Sequence, residues 1–134
     1  MIQENELRKN NWFYFPFHNQ YIQILGYALM ETDNTTKVQF KTNGLVILEP
    51  ISVLNPIALT PEILEKCGFK IRPTGGYCKK ISNNFEFYIL TLGNMDEFYL
   101  LQFDSAGIMC PCKYLHQLQN LYLTLTGEEL NPNL

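Results

Sequence analysis

The segment at residues 113–130 constrains the fold of this chain most, because its apolar residues repeat with the period of a helix. At about 100° per residue, they fall within roughly 120° of one another around a helical axis. These residues are Tyr114, Leu115, Leu118, Leu121, Tyr122 and Leu125. Gly127 follows where a left-handed helix cap needs a glycine. The pattern predicts an amphipathic helix that docks through this apolar arc, with His116, Gln119, Asn120 and Leu123 together on another face.

The first half of the chain has the alternation of antiparallel β-strands. In residues 37–42, Val38 and Phe40 alternate with polar residues, which is the period-two pattern of a half-buried strand. Asn43-Gly44 is a strong hairpin signal and joins this strand to the apolar residues 45–48. An aromatic run at 12–17, a long segment at 21–30 and a turn at Asp33-Asn34 come before it. Three or four strands of this length predict a small curled sheet.

The second half combines a short helix with further strands. Thr60 is suited to a helix N-cap, Pro61 to the first helical position and Gly68 to the helix end. Residues 69–72 and 77–81 flank a Pro-Thr-Gly-Gly turn and predict a hairpin. Residues 85–92 and 97–103 predict two more strands, with turns at 83–84 and 93–94.

We therefore predict an α+β fold with two clusters of antiparallel strands. One is the small N-terminal curled sheet, and the other is a second sheet packed by the short helix and the C-terminal amphipathic helix. A chain of 134 residues corresponds to about one domain, so we expect a single domain over 1–134. Sub-domains at 1–49 and 56–134 are the alternative.

The composition indicates a protein that folds without metal or disulfide support. It is 46% hydrophobic and 13% aromatic, which is sufficient for a core, and its four cysteines are expected to be reduced thiols. The apolar runs are too short to span a bilayer, and the polar start M-I-Q-E-N-E is unlike a signal peptide. We expect a protein of the bacterial cytoplasm that makes no membrane contact and needs no cofactor.

Cys110-Pro111-Cys112 is the local feature that most resembles a reactive site, because it directly precedes the predicted helix. A thiolate at a helix N-terminus is stabilised by the helix dipole, and Cys112 lies four residues before His116. No third residue that would orient the imidazole is recognisable, however. A zinc site that also uses Cys67 and Cys78 lacks the usual paired spacing. We therefore predict no catalytic residue, no metal ligand and no enzymatic activity.

A basic stretch stands out in a chain whose formal net charge is −3. Five of the ten basic residues lie within residues 66–80, which contain no Asp or Glu. We predict a partner-binding hairpin formed by Lys70, Arg72, Tyr77, Lys79 and Lys80. Such a hairpin can bind nucleic-acid phosphates or an acidic protein surface. A merely solvated hairpin is the alternative.

The aromatic run W-F-Y-F-P-F at residues 12–17 is the second predicted binding element. Alternate residues of a strand face the core, but five aromatics in six positions leave some of them facing outwards. Exposed aromatics are typical of interface hot spots. Trp12 and Tyr14 are therefore added to the predicted partner-binding residues.

Three stretches carry a resemblance to a family. They are H-Q-L-Q-N-L-Y-x-x-L-T-G-E-E-L at 116–130, P-I-A-L-T-P-E-I-L-E-K-C-G-F at 56–69 and E-L-R-x-x-N-W at 6–12. Together they resemble small uncharacterised proteins encoded by phages, prophages and conjugative elements of Bacteroidetes bacteria. The family commonly reads R-I-G-N near its N-terminus, whereas this chain has Arg8-Lys9-Asn10-Asn11. Asn tolerates the left-handed backbone that Gly would supply, so the turn is expected to be kept.

The resemblance implies a source but brings no activity with it. We expect a non-enzymatic binding protein encoded by a phage or mobile element, whose partner is a host protein or ribonucleoprotein complex. Inhibition of a host defence system such as a CRISPR effector is a concrete version, based on analogy with proteins of such elements. The alternatives are a nucleic-acid-associated accessory protein of element replication or expression, which contacts RNA or DNA through the basic hairpin, and a thiol enzyme using Cys112 and His116. The sequence leaves the oligomeric state open.

Overall fold

The computed structural model describes residues 2–30, 33–73, 75–82, 85–92, 95–103 and 108–134. The chain divides into two compact units, one made of Met1–Ile57 and Leu115–Asn120 and the other of Ala58–Tyr114 and Leu121–Leu134. The described elements form two antiparallel sheets and two α-helices, so the predicted α+β fold is confirmed.

The first unit contains a sheet with the strand order β1-β2-β3-β4. Its strands are β1 Trp12–Phe15, β2 Gln20–Met30, β3 Thr35–Thr42 and β4 Leu45–Pro50. All pair antiparallel, and β2 is bulged between Ile24 and Gly26 where it meets β3. The inner side of the sheet forms an apolar core that includes Phe13, Phe15, Ile22, Ile24, Val38 and Phe40. The predicted alternation of the aromatic run is confirmed, because its second and fourth residues are buried in this core.

The hairpin predicted at Asn43-Gly44 is present and has two residues in its turn. Asn43 has φ 47° and Gly44 has φ 80°, the left-handed pair of a type I′ turn. This turn matches the twist of the two flanking strands, and β3 and β4 pair without a break from Thr42 and Leu45 onwards. The turn therefore fixes the register of β4.

The second unit contains a sheet with the strand order β5-β6-β7-β8-β9. Its strands are β5 Lys70–Ile71, β6 Tyr77–Ser82, β7 Phe85–Leu92, β8 Met95–Phe103 and β9 Ile108–Cys112. The buried rings of Phe69 and Tyr122 pack on Phe87, with ring centroids 6.0 and 5.1 Å from it. The turns predicted at 83–84 and 93–94 lie outside the described residues.

Helix α1, Pro61–Lys66, begins and ends where the sequence predicts. The Thr60 hydroxyl accepts a hydrogen bond from the Ile63 N–H at 3.2 Å, which satisfies one of the N–H groups left open at a helix start. Gly68 has φ 88° just beyond the helix end. Ile63 and Leu64 are the buried residues of the helix.

Helix α2, Leu115–Thr126, is confirmed, including its left-handed cap at Gly127, whose φ is 74°. The preceding Cys110-Pro111-Cys112 differs from the sequence interpretation, because it lies in β9, a strand at the end of its sheet. A proline that cannot donate to a strand ladder is tolerated in such an edge strand. Cys112 is therefore a strand residue, and the helix begins three residues later.

Candidate functional site

The outer side of the N-terminal sheet carries a cluster that we name the aromatic face: Trp12, Tyr14, Tyr21 and Leu25. Tyr14 lies opposite Tyr21 in the strand register, and their rings meet edge to face at 5.8 Å. The Tyr14 hydroxyl donates a hydrogen bond to the Asn19 side-chain oxygen. Tyr21 and Leu25 are 45% and 42% exposed. The cluster is thus apolar, accessible and held by cross-strand contacts.

A shallow depression of about 400 Å³ lies on this face. Trp12, Tyr21, Leu25 and the exposed Lys41 contribute to its lining, together with the tip of the β3–β4 hairpin. Its apolar wall suits an apolar or aromatic side chain, and Lys41 suits a neighbouring carboxylate. Both predicted aromatic residues, Trp12 and Tyr14, therefore lie on one surface, which Tyr21 and Leu25 extend.

A second group of residues, which we name the motif network, joins the N-terminal turn to the start of α2 within the first unit. The Asn120 side-chain oxygen accepts hydrogen bonds from Arg8 Nε at 3.0 Å and from Asn11 Nδ2 at 2.9 Å. Its Nδ2 donates to the Glu6 carbonyl at 2.7 Å. The side-chain oxygen of the fully buried Gln119 accepts from the Trp12 N–H at 2.9 Å, and its Nε2 donates to the Asn10 carbonyl at 3.1 Å.

Two of the stretches that carry the family resemblance therefore contact each other. The partners Arg8 and Asn120 are separated by 112 positions in the chain. Buried polar groups are costly unless they are hydrogen-bonded, so these residues must occur together to be tolerated. The network accounts for the recognisable residues as parts of the fold.

The N-terminal turn predicted at residues 8–11 is confirmed. Asn10, at the position where the family has Gly, has φ 73°. The Asn11 side chain accepts a hydrogen bond from the Arg8 N–H at 2.8 Å, and the Asn11 N–H donates to the Arg8 carbonyl at 3.1 Å. The departure from the R-I-G-N pattern therefore keeps the backbone conformation.

His116, predicted to share a face with Gln119 and Asn120 apart from the docking arc, is buried. Its Nε2 lies 3.0 Å from a Glu6 carboxylate oxygen, and its ring lies 5.0 Å from that of Phe13. Burial lowers the pKa of His116 below 6.5, although Glu6 opposes this shift. Burial raises the pKa of Glu6, but hydrogen bonds from His116 and Gln117 outweigh it and hold that pKa below 4.5. We take His116 as neutral and donating Nε2–H to an ionised Glu6.

The cysteines are placed as separate thiols. Cys112 is buried and its Sγ donates to the Tyr114 carbonyl at 3.7 Å. Burial raises the pKa of the Cys67 thiol to about 12. Cys78 and Cys110 are half-buried. Among the described residues, no group of three or more His, Cys, Asp or Glu side chains has a geometry that holds a metal ion.

The predicted basic hairpin is split between the two sides of its sheet. Tyr77 and Lys79 lie opposite Ile89 and Phe87, both of which are buried. Lys79 Nζ donates to the Cys67 carbonyl at 2.8 Å, just beyond α1, and lies 5.3 Å from the centre of the Tyr122 ring. Lys79 therefore has a structural position, and Tyr77 is half-buried on the same side.

The other basic residues form an outward group. Lys70 and Lys80 are exposed, and the Arg72 guanidinium lies 4.3 Å from the centre of the Tyr88 ring. The Tyr88 hydroxyl donates to Glu86 at 2.6 Å, and this hydrogen bond raises the pKa of Tyr88. Lys80 lies opposite Glu86 in the strand register, so part of its charge is offset. The sequence did not reveal this acidic neighbour, because it lies on the next strand.

A larger groove of about 740 Å³ lies in the first unit and is lined by residues from 2–5 and 51–56. Ile2, Glu4, Leu54 and Asn55 are among its lining residues. A single carboxylate of this kind supplies neither an acid-base pair nor a metal ligand set.

No protein-family model, curated protein sequence or solved structure matches this chain. Among the helices of the described residues, none is both long enough and apolar enough to cross a bilayer. The class that can be stated is an α+β protein with two antiparallel sheets and an exposed aromatic face.

Proposed function

We propose that this protein is a non-enzymatic binding protein encoded by a phage or mobile element. It acts in the cytoplasm of the bacterial host by occupying a surface of a host protein or ribonucleoprotein complex. Inhibition of a defence system such as a CRISPR effector is the specific form of the proposal. The resemblance to phage and mobile-element proteins supports the source, and the aromatic face supports the binding role.

The aromatic face is the observation that carries this proposal. Rigid, accessible aromatic residues gain contact area at low entropic cost, which is why they dominate binding hot spots. Tyr14 is held by its hydroxyl bond to Asn19 and by its contact with Tyr21. A partner of matching chemistry presents an apolar anchor for the depression and a carboxylate within reach of Lys41.

Cys112 and His116, the two side chains considered for a catalytic role, make structural contacts instead. Cys112 is a buried strand residue whose thiol donates to a main-chain carbonyl. His116 is a buried imidazole paired with Glu6. Both arrangements favour a binding role over a thiol-enzyme role.

Affinity capture from host lysate tests this proposal. The wild-type chain, a Tyr21→Lys/Leu25→Lys variant and an Ile71→Lys control are used as baits, with and without nuclease treatment. Ile71 is also exposed but lies on β5, so the control adds a lysine at an apolar position elsewhere. We expect the wild type and the control to retain the same host complex after nuclease treatment, and the double variant to lose it. Equal capture by all three chains contradicts the role of the aromatic face.

The outward basic group favours a second candidate, a nucleic-acid-associated accessory protein. The Arg72 guanidinium lies over the Tyr88 ring, and Lys70 and Lys80 are exposed. This group combines cations with an aromatic ring, as proteins that bind single-stranded nucleic acid do. Retention of RNA or DNA that weakens with rising salt, with a shallower slope in a Lys70→Gln/Lys80→Gln variant, supports this candidate. Lack of retention at low salt eliminates it.

A further inference from the structure

The two edge strands of the N-terminal sheet differ in their main-chain hydrogen-bond partners. At the β1 edge, Tyr14 and Asn55 exchange two main-chain hydrogen bonds of 2.9 Å each. The segment that contains Asn55 therefore covers that strand. At the opposite edge lies β4. Among the described residues, β4 pairs with β3 alone.

The hairpin geometry determines which main-chain groups of β4 point outwards. A two-residue type I′ turn is closed by a hydrogen-bonded pair, here Thr42 and Leu45. Hydrogen-bonded and non-hydrogen-bonded pairs alternate along antiparallel strands. Val46 and Leu48 therefore occupy non-hydrogen-bonded positions, and their N–H and C=O groups point away from β3.

The side chains of this edge are apolar and accessible. Leu45, Val46 and Leu48 are 67%, 53% and 50% exposed, and Glu49 is the single charged residue of β4. Natural edge strands usually carry lysines, inward charges or bulges that prevent pairing with another chain. The pairing of β3 with β4 shows no bulge, and the proline stands only at its last position.

We propose that β4 is a self-association site, which pairs antiparallel with β4 of a second copy about a twofold axis at Ile47. In this register Val46 lies opposite Leu48 of the second copy, and Leu48 lies opposite its Val46. Each such pair exchanges two main-chain hydrogen bonds, so four bonds form across the axis. The two sheets then continue into one sheet of eight strands.

A second copy is the occupant that β4 fits best, because this register is self-complementary. Glu49 falls opposite Leu45 rather than opposite another Glu49, so like charges do not meet. Pro50, which has no N–H, falls opposite Gly44 and outside the four bonds. A twofold axis at Leu48 places Pro50 opposite Val46 and leaves the outward carbonyl of Val46 without a donor, whereas an axis at Val46 places Leu48 opposite the turn. Only the axis at Ile47 uses all the outward groups of Val46 and Leu48.

The expected association is weak and depends on concentration. One strand pair buries less than the roughly 1,200 Å² at the lower end of standard interfaces. We therefore expect a dissociation constant between about 10 μM and about 1 mM. The pairing uses β4 alone, so each dimer presents two copies of the aromatic face.

Sedimentation equilibrium of the full chain, from about 1 μM to about 1 mM, tests the proposal. Leu48→Pro removes an N–H that β3 does not use, so we expect the fold to persist while the dissociation constant rises about tenfold or more. Leu48→Lys is the second variant, and Leu29→Lys on β2 is its matched control, since Leu29 is 59% exposed. A dimer weakened by both Leu48 changes but not by Leu29→Lys supports the proposal. A wild-type monomer throughout, or equal weakening by all three, overturns it.

A disulfide experiment tests the register. Ile47→Cys places a thiol opposite its own copy in a non-hydrogen-bonded pair, where Cβ atoms lie within about 5 Å. The background carries Cys78→Ser and Cys110→Ser, which remove the two half-buried native thiols. Leu45→Cys is the control, because it lies opposite Glu49 and far from its own copy. We expect faster dimer crosslinking through residue 47, and equal or faster crosslinking through residue 45 contradicts the twofold axis at Ile47.

Discussion

The motif network and the aromatic face differ in what makes their residues recognisable. The network residues Arg8, Asn11, Gln119 and Asn120 lie in the stretches for which a family resemblance is proposed, and they are joined by hydrogen bonds in the first unit. Most of the aromatic face lies outside those stretches, yet it is accessible to a partner. The comparison teaches that buried polar groups restrict a sequence through their mutual hydrogen bonds. Residues that make a sequence recognisable can therefore belong to the fold, whereas the proposed binding surface consists of exposed residues.

The largest expected effect on stability comes from breaking the motif network at Gln119. Gln119→Leu keeps a similar volume but removes the acceptor of the Trp12 N–H and one of the hydrogen bonds to the Asn10 carbonyl, which also accepts from Gln23 Nε2 at 3.2 Å. We expect the free energy of unfolding to fall by about 2–4 kcal/mol in chemical denaturation. Gln117→Leu is the control, since the half-buried Gln117 side chain donates to the Glu6 carboxylate at 3.2 Å. Equal losses for the two variants contradict the structural role of the network.

The buried His116 next to the motif network should make the free energy of unfolding depend on pH. Burial lowers its pKa in the folded state, so below pH 6.5 the unfolded chain binds the proton first. Stability from this group is complete above pH 6.5 and is lost as pH falls below that value. The slope is at most about 1.4 kcal/mol per pH unit. Glu6, whose folded pKa is below 4.5, acts in a lower range, where its contribution is lost with falling pH.

Denaturation between pH 7.5 and pH 5 measures this slope. We expect a His116→Gln variant to be less stable at neutral pH but to lose less stability on acidification than the wild type. The His18→Gln variant is the control, because His18 is an exposed residue near the β3–β4 hairpin, where its Nδ1 lies 2.6 Å from the Thr42 hydroxyl. A wild-type slope retained in the His116 variant contradicts its assignment as a buried neutral base.

A smaller effect is expected at the N-terminal turn. Asn10 has a left-handed backbone, which costs most residues with a Cβ about 1–2 kcal/mol more than it costs Gly. Asn10→Ala should therefore lower the free energy of unfolding by about 1 kcal/mol, because Asn already bears part of that cost. Asn10→Gly should be neutral within about 0.5 kcal/mol. Thermal unfolding checks both, and destabilisation by Gly equal to that by Ala would show that the turn conformation is not what residue 10 supplies.

Local signals in the sequence predicted much of the fold. Thr60 works through a hydroxyl bond to a residue three positions on, and Gly68, Gly127 and the Asn43-Gly44 turn work through their own backbone conformations. Their roles therefore follow from neighbouring residues alone. The strand at Ile108–Cys112 was missed because Pro111 within it indicates an interruption, unless the strand is known to lie at an edge. Edge position depends on the whole sheet.

The sites were harder to predict, because their partners are distant in the chain. The sequence predicted a separate face for His116 and Gln119 but did not predict its partners, because both side chains are buried against residues more than 100 positions away. It grouped Lys79 with Lys80, whereas Lys79 bonds to the Cys67 carbonyl. Trp12 and Tyr14 remain predicted binding residues, now joined by Tyr21 and Leu25 across the strand pair. Alternation along β2 from Tyr21 places Leu25 on the same side, but that this side faces out depends on how the sheet packs.

The most direct test of the central claim compares the two regions in one capture experiment. The Tyr21→Lys/Leu25→Lys variant and the Gln119→Leu variant are used as baits in host lysate, at a temperature where circular dichroism shows both to be folded. We expect the Gln119 variant to retain the captured host complex and the aromatic-face variant to lose it. Loss of the complex with Gln119→Leu, together with full retention by the aromatic-face variant, would contradict the account.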